Sequence, residues 1–538
     1  MTNSIGEIRD ADLVFVIGSN TTEAHPIIAM EMKRAALRGA KLIVADPRAT
    51  WLAGFADIHL RLWPGTDVAL LSAMAHVILD EGLHDRAFVE QQTEGFEQVR
   101  DAVAEWTPER AEAICGVPAA DIRAAARAYA TTRRAGIYYT LGITEHTHGT
   151  DNVYCLSNLV LLTGHLGVRS AGLNPLRGQN NVQGANDAGA SPIFLPGYQR
   201  VADPSVRAKF SAAWGAEVPE TPGKNLNEMM HDLRHGAIRG MFVMGEDILV
   251  SEPDVAGLDA ALPGLEALVV VDLFLTETAK RADVVLPAAA FAEKDGTFTN
   301  SERRVQRVRA AVPPPGDARP DWQIVSALLQ RAGVDPVAGK AADAVVPSDI
   351  YAELAGLCDK FAGIDHARIE AEGGLQWPCP LPNHPGTPTL HEGGPMRGKG
   401  LLVPVQYRGS IETPDADYPL LMSTGRTLYH YNVATQTRRE PGIVARQSAC
   451  FVEVHAEDAD ALGLRDGGRC EVATRRGSIE AAVRVTPRVQ KGMIWLPMHF
   501  AEARANLLTI DAGDIVTGTA EYKVCAARVR PLPEPAAG

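Results

Sequence analysis

The seven cysteines, Cys115, Cys155, Cys358, Cys379, Cys450, Cys470 and Cys525, are scattered singly and never form a CxxC pair. The sequence itself therefore encodes neither an iron–sulfur cluster nor a zinc knuckle, and reduced thiols in the cytoplasm are the natural reading. No apolar run reaches 18 residues, so no helix is expected to span a membrane. The opening MTNSIGEIRDAD has neither a basic start nor an apolar core, unlike a secretory signal. Basic tracts are also missing: with a net charge of −14 and a pI near 5.6, the chain is not expected to partner nucleic acid or an anionic membrane surface. No GxSxG, HExxH or GxxxxGK[ST] occurs. What remains is 538 residues, 46% of them apolar, which is enough for several full cores and too long for one ordinary domain.

Two stretches repeat one pattern. The first reads ADLVFVIGSN, KLIVADPR and ADIHL; the second reads GMFVMGED, ALVVVDLF and ADVVLP. Gly18 to Asp46 is 28 residues and Gly245 to Asp272 is 27, while Asp46 to Asp57 and Asp272 to Asp283 are both 11. An apolar strand, a glycine turn, a helix-length segment and a second strand closed by an acid make up a β-α-β nucleotide-binding unit. In such a unit loop amides face phosphate and the acid accepts from a ribose hydroxyl. Two copies suggest two nucleotide-like ligands, or one ligand with two nucleotide ends. The alternative is a plain doubly wound sheet in which these glycines and aspartates only make turns.

Residues 1–179 alternate strand and helix signals, predicting an α/β domain with a mostly parallel sheet. One helix is predicted from His25 to Arg38, stopped by Gly39, and another after Thr66 or Asp67 reaching Ile78. TPERAEAICGVPAADIRAAARAYATT reads as two short amphipathic helices. Residues 180–342 read as a second α/β domain, with DWQIVSALLQRAG as a helix. The Pro- and Gly-rich stretch 343–400 reads as a connection, and 401–538 as a β-rich domain, a barrel, beginning with LLVPVQ and including a hairpin at TRRGS.

Several side chains invite a chemical reading. Arg177, beside the polar loop GQNNVQGANDAGA, can bind a carboxylate or phosphate bidentately, or pair structurally with a neighbouring acid. His146 and His148, two apart, suit a strand facing two sides better than a metal centre. His430 and His499 read as loop or cofactor contacts. The arginines Arg303, Arg304 and Arg307, after Lys294 and Asp295, read either as solvated surface or as phosphate contacts.

The segments TNSIGEIRDADLVFVIGSN, ADPR, NPLRGQNNVQGANDAGA, MGEDIL, DLFLTETAKRADVVLP, EKDGTFTNSERRVQ, STGRTLYHYN and EYKVCAARV, in this order, resemble the catalytic subunit of molybdenum- or tungsten-dependent formate dehydrogenase. That family belongs to the molybdopterin oxidoreductases of dimethyl sulfoxide reductase type. The resemblance implies two α/β domains related by pseudo-symmetry, each holding the guanosine end of one of two molybdopterin guanine dinucleotides, and a C-terminal barrel closing over both. It implies that Asn20, Asp46, Arg48, Gly65 and Asp67 hold one dinucleotide. Gly245, Glu246, Asp247, Asp272, Thr276 and Asp321 would hold the other. Arg426, His430, Tyr522 and Lys523 would contact pterin or pyrophosphate, Gln179 would sit near the pterin, and Arg177 would orient formate. The partners it implies are formate or carbon dioxide and electron-transfer subunits of iron–sulfur, flavin or hydrogenase type. An assimilatory nitrate reductase-like oxyanion reductase is the runner-up.

The family also carries a 4Fe-4S cluster, and a cysteine or selenocysteine metal ligand with a histidine beside it, in sequence that has no counterpart here. The resemblance further implies that the second α/β domain, 180–342, is incomplete, lacking opening strands that the same sequence supplies. The chain is thus expected to be a fragment, one half of a split enzyme, or a non-catalytic cofactor-binding remnant. In each case the purified 538-residue chain should show no formate-dependent dye reduction; measurable reduction by that chain alone would overturn the expectation.

Overall fold

A computed structural model describes residues 1–533. The chain divides into two units: residues 1–176, 248–259 and 389–538 form the first, and residues 177–247 and 260–388 the second.

The first unit begins with a parallel sheet. Its strands are β1 (Leu13–Ile17), β2 (Lys41–Ala45), β3 (Ile58–Leu60), β4 (Ala135–Tyr139) and β5 (Gly172–Pro175), in the order β3-β2-β1-β4-β5. Every residue of LVFVI in β1 is buried, as expected of a strand covered on both faces. Helix α1 (Pro26–Leu37) opens on a proline, whose missing N–H costs nothing there, and is followed by Gly39 at φ +95°. Helix α2 (Asp67–Asp80) has 11 of its 14 residues buried, so it runs through the core rather than over it. The two short amphipathic helices are α3 (Pro108–Cys115), whose N-cap Thr107 accepts from Arg110 N–H, and α4 (Ala119–Thr131). Strand order reverses between β1 and β4, which creates the crevice at their carboxyl ends where ligands of such sheets lie.

The same unit contains a closed barrel of β12 (Leu420–Gly425), β13 (Phe451–Val454), β14 (Arg469–Ala473), β15 (Ser478–Val485), β16 (Met493–Pro497) and β17 (Cys525–Pro531), ordered β12-β16-β13-β15-β14-β17. The TRRGS turn joins β14 to β15, with Ala473 opposite Ser478. LLVPVQ is not a barrel strand. Only Gly400–Leu401 pairs, and it does so with Thr93–Glu94; beyond it Val403 N turns to the Asn158 side chain and Pro404 has no N–H to continue a ladder.

In the second unit the repeat recurs as β6 (Gly240–Met244), β7 (Ala267–Asp272) and β8 (Val284–Pro287), parallel in the order β8-β7-β6. Equivalent atoms bond alike in both copies. Asp57 Oδ2 accepts from Leu42 N at 2.7 Å, and Asp283 Oδ2 accepts from Leu268 N at 2.8 Å. Gly18 N donates to Ala45 O, and Gly245 N to Val271 O. The third acid of each motif is therefore a strand staple. The copies differ in burial: β6 leaves Phe242 and Met244 about half exposed, where every residue of β1 is covered.

The hairpin β9 (Gly296–Thr299) and β10 (Arg304–Val308) pairs with β11 (Leu375–Gln376). The predicted helix forms at Asp321–Arg331. The stretch read as a connection instead carries helices Pro347–Leu357 and His366–Glu372, and it buries Tyr351, Phe361, Trp377 and Cys379 with Val305. Neither reading of the three arginines holds. Arg303 is fully buried and donates to the carbonyls of Trp377, Thr387 and Pro388. Arg304 bonds Glu302 and Gln376, and Arg307 bonds Gly296 O and His366. All three bond acceptors of the protein itself, backbone carbonyls above all, rather than solvent or a ligand. The polar loop after Arg177 likewise winds partly into a helix, Val182–Asp187.

Asp57→Ala and Asp283→Ala should each lower stability, by about 1–2 kcal/mol, through loss of one charge-assisted bond to backbone. Urea unfolding checks this; a variant that loses ligand affinity at unchanged stability would contradict it.

Candidate functional site

Each unit holds its own set of candidate residues. In the first, Gly18 turns the chain at φ +56° beyond β1, and a Cβ there would lie 2.7 Å from the Gly142 carbonyl carbon. The glycine is needed for that close approach, and Gly18 O accepts from Thr140 Oγ1 and Gly142 N. Just beyond it, both amide atoms of Asn20 and the Thr22 hydroxyl are buried with no hydrogen-bond partner among the described residues. Buried amides are nearly always bonded, so an unpaired one at the mouth of a parallel sheet marks a place for a ligand or water.

Asp46 ends β2. One of its oxygens accepts from Arg48 N at 2.9 Å, and burial pushes its carboxyl up to about 6 against the pull of that N–H and of the Arg48 charge. Burial also pushes Asp67, at the start of α2, up to about 6, with His146 opposing. Gly65 sits at φ +79°, and a Cβ there would run into Ser410 Oγ. The charges of Asp67 and Lys523 both act on Asp46, so the structure brings these three predicted residues together.

Arg48 is otherwise engaged. Its Nε and Nη2 bond Glu453 at 2.6 and 2.7 Å, and its guanidinium lies over the Trp495 ring, 3.7 Å from the centroid. Arg48 and Glu453 are both buried, so this is a sealed tie between sheet and barrel. His430 also spends both ring nitrogens internally, on Thr437 Oγ1 and Gln447 O. His499 accepts from Thr427 N and contacts Asn432 O, and burial lowers it to about 4. Arg426, by contrast, has no hydrogen-bond or ion-pair partner among the described residues, and Thr427 Oγ1 and Gln447 Nε2 are buried and unbonded beside it in sequence and through His430. Tyr522 OH donates to Ser251 O at 3.1 Å, and Lys523 pairs with Glu145 at 2.7 Å.

His146 and His148 lie in the turn before helix Gly149–Leu162, not on a strand, with rings stacked 5.4 Å apart. His146 Nδ1 is 3.3 Å from Glu521 Oε1, an ionic contact rather than an aligned hydrogen bond, and Nε2 meets Gly142 O at 3.0 Å. Burial alone would lower His146, but the Glu521 charge, then Asp67 and Gly142 O, override it and push it up to about 9. His148 goes the other way, to about 4, through burial and the His146 charge. Glu521 also accepts from Thr147 N, and it stays below its usual range despite burial because of His146. Glu521 and Glu145 were given no role in the sequence reading, although Glu521 opens the quoted segment EYKVCAARV and Glu145 directly precedes His146. Nothing local marks an acid whose partner is 375 residues away.

In the second unit Gly245 turns at φ +68° with open space around its α-carbon. Asp247 accepts from Thr278 N and Oγ1, and more weakly from Glu277 N. Asp272 accepts from Leu273 N, Thr276 Oγ1 accepts from Ala279 N, and Asp321 pairs with Lys294. Arg177 N donates to Ser301 Oγ and its Nε to Gln183 Oε1 at 3.4 Å. Glu246 and Gln179 are also in this unit, Gln179 half-buried two residues after Arg177. Among the described residues no three His, Cys, Asp or Glu side chains group as metal ligands, and no helix is long and apolar enough to cross a membrane.

The family model for molybdopterin oxidoreductase matches residues 1–331, and that for the molydopterin dinucleotide binding domain matches residues 420–526. The chain belongs to the molybdopterin oxidoreductase family. It is 44% identical over 531 residues to the F420-dependent formate dehydrogenase subunit alpha of Methanocaldococcus jannaschii, covering 98% of this chain and 78% of that one. Formate dehydrogenase H of Escherichia coli is 39% identical, covering 99% and 74%. The assimilatory nitrate reductase catalytic subunit of Bacillus subtilis is 34% identical, covering 99% and 76%. Among solved structures, acetylene hydratase from Pelobacter acetylenicus superposes with a TM-score of 0.76 at 19% identity, covering 98% of this chain and 81% of that one, a likeness of fold. Members of this enzyme family use a molybdopterin cofactor, and the α/β sheets and six-stranded barrel are the family's architecture.

The His146–Glu521 pair has a testable pH signature. A histidine raised from 6.5 to about 9 adds stability that is complete below pH 6.5 and is lost as pH rises through about 9. The lowered Glu521 contributes above its ordinary 4.5 and loses that on acidification. His146→Asn should therefore cost a few kcal/mol in urea unfolding at pH 6, with the cost shrinking as pH rises from 6.5 toward 9 and nearly gone above it. A difference that does not shrink with pH would refute the charged pair.

Proposed function

We propose that this chain is the catalytic, cofactor-binding part of a formate oxidoreductase that interconverts formate and carbon dioxide at two molybdopterin guanine dinucleotides holding molybdenum or tungsten. The observation that carries this reading is the 44% identity, sustained over nearly the whole chain, to a formate dehydrogenase alpha subunit. The polar atoms left unbonded suit such a group. The Asn20 amide can bond a guanine or ribose edge, and the buried Asp46 and Asp67 carboxyls can accept from ribose hydroxyls or guanine N–H groups. Arg426 and the Thr427 hydroxyl can hold pyrophosphate. Gly245 with its open surroundings, together with Asp272 and Thr276, would serve the second nucleotide, and Glu246, Asp247 and Asp321 would shape its loop. Arg48 and His430 act on this reading from behind, holding the loops that carry Asp46 and Thr437 rather than touching the ligand. When bound, the metal–pterin group supplies the two-electron redox chemistry.

The chain's own part is to bind and aim the anion. Arg177 meets the two oxygens of formate with a planar fork that lysine cannot reproduce, and so turns the C–H bond toward the redox centre. Gln179, two residues on and half-buried, would contact the pterin. Electrons would leave to further subunits, since the relatives are named alpha subunits. That these are of iron–sulfur, flavin or hydrogenase type, with a 4Fe-4S cluster as first station, follows from the family resemblance. The seven free cysteines fit a cytoplasmic location, where thiols stay reduced. Nitrate is the second reading, favoured by the 34% identity to a nitrate reductase, since it too is a planar monoanion.

Elemental mass spectrometry and fluorescence of the oxidised pterin should find the cofactor in the protein purified with its partner subunits. In that assembly Arg177→Lys should lower kcat/KM for formate by roughly 100-fold, the worth of two charged hydrogen bonds. Nitrate reduction faster than formate oxidation in the unmodified assembly would replace formate by the second reading.

A further inference from the structure

Around Arg177 the second unit builds a buried polar network larger than a turn requires. Gln183 Oε1 accepts from Arg177 Nε at 3.4 Å. The same amide donates through Nε2 to Asp187 Oδ1 at 2.9 Å and to Tyr198 OH at 2.7 Å. Tyr198 OH donates in turn to Asp187 Oδ1 at 2.8 Å, and Trp377 Nε1 donates to Asp187 Oδ2 at 2.7 Å. Gln183 and Asp187 are 5% and 3% exposed, so water does not compete for these bonds.

The network has a direction. A glutamine amide can flip, exchanging its oxygen and nitrogen, and its orientation decides what it offers a neighbour. Both acceptors near Gln183 Nε2, the Asp187 carboxylate and the Tyr198 oxygen, require the NH2 group on their side. That leaves the Gln183 carbonyl oxygen facing Arg177, where it can only accept. Because guanidinium is planar, fixing the Nε–H direction fixes the plane of the whole fork. Asp187 is the anchor: a carboxylate with three donors on it and the Arg177 charge nearby, although burial raises its carboxyl above the ordinary range.

The backbone supports this reading. Tyr198 is held at φ +62°, a left-handed conformation costly for an aromatic residue. Gly197 before it, at φ +75°, donates its N–H to Asp187 O at 2.8 Å, and a Cβ on it would lie 2.8 Å from Cys358 Sγ. The turn thus brings the Tyr198 hydroxyl onto Asp187 at the expense of local strain. Residues in such conformations persist where surrounding structure over-determines them.

We propose that Gln183, Asp187 and Tyr198 are positioning residues that set the plane of the Arg177 guanidinium, and through it the affinity and orientation of a small planar monoanion. This rests on the reading of Arg177 as the anion ligand. None of the three need touch the anion, so their loss should act on binding before it acts on turnover.

The test uses the cofactor-loaded assembly and four variants, Arg177→Lys, Gln183→Leu, Asp187→Asn and Tyr198→Phe. Three quantities are read: kcat and KM for formate, the Kd for nitrate as a planar probe by calorimetry on the oxidised assembly without reductant, and the thermal midpoint. Gln183→Leu should raise both formate KM and nitrate Kd about tenfold while kcat stays within about threefold, and Tyr198→Phe and Asp187→Asn should move them in the same direction. A purely structural network would lower the thermal midpoint and leave KM and Kd unchanged, and that result overturns the proposal. So does a fall in kcat at constant KM. Arg177→Lys separates the two layers. If it leaves KM and Kd unchanged, Arg177 is not the anion ligand and the functional reading itself fails. If it raises them while the other variants do not, only the positioning role fails. Should Gln183→Leu not fold, Tyr198→Phe, which keeps the ring and removes one hydroxyl, decides the question alone.

Discussion

One sealed ion pair holds the first unit together: Arg48 from the end of the first β-α-β repeat and Glu453 from the barrel, with the Trp495 ring as its lid. Two buried charges are tolerable only when each satisfies the other and the geometry is good. Here the guanidinium fork meets both carboxylate oxygens. Arg488 adds a second cation 3.6 Å from Glu453 and reaches Glu23 at 2.9 Å, while Ala49 N and Arg61 bond the Arg488 and Pro487 carbonyls. The loop carrying Asp46 is therefore pinned on both sides, and Asp46 faces its surroundings from a fixed backbone.

A second buried electrostatic set works in the same unit. His146 stays charged because Glu521 and Asp67 flank it, and burial together with that charge keeps the neighbouring His148 neutral. Glu521 also caps the backbone N–H groups of Thr147, Lys523 and Val524, and Asp514 does the same for Thr150 and Thr517. The C-terminal segment before the last barrel strand is thus fastened to the turn preceding helix Gly149–Leu162 by these acids, by the Lys523–Glu145 ion pair and by Tyr522 N on Glu145 O. In the second unit Asp187 plays the corresponding part with three uncharged donors. In each case a buried carboxylate is kept by saturating its oxygens.

The local rules could be read directly. Helices α1 and α2 form where Pro26, Gly39 and Thr66 punctuate them, the hairpin turns at TRRGS, and the two repeats fold as two parallel β-α-β units. The reading failed where a residue's partner lies far away in sequence. Arg303 looked like surface or a phosphate contact, yet it serves three carbonyls 74 to 85 residues on. The stretch 343–400 looked like a connection because proline and glycine dominate it, yet it supplies Trp377 to the network around Asp187.

What the sequence determined by itself is periodic and local: strands apolar on both faces, turns where glycine allows positive φ, and a doubled acid spacing that survives as identical bonds from Asp57 and Asp283. Such features depend on neighbours within a few residues, or on a ladder whose register the hydrophobic pattern dictates. What only the tertiary structure decided is the state of the polar side chains. Arg48 and His430 are consumed internally, Asn20 and Thr22 are left unpaired, and Gln183 is turned by Asp187 toward Arg177. Whether a buried polar group is satisfied or spare depends on which distant acceptor the fold brings to it. Sequence order carries no direct record of that meeting.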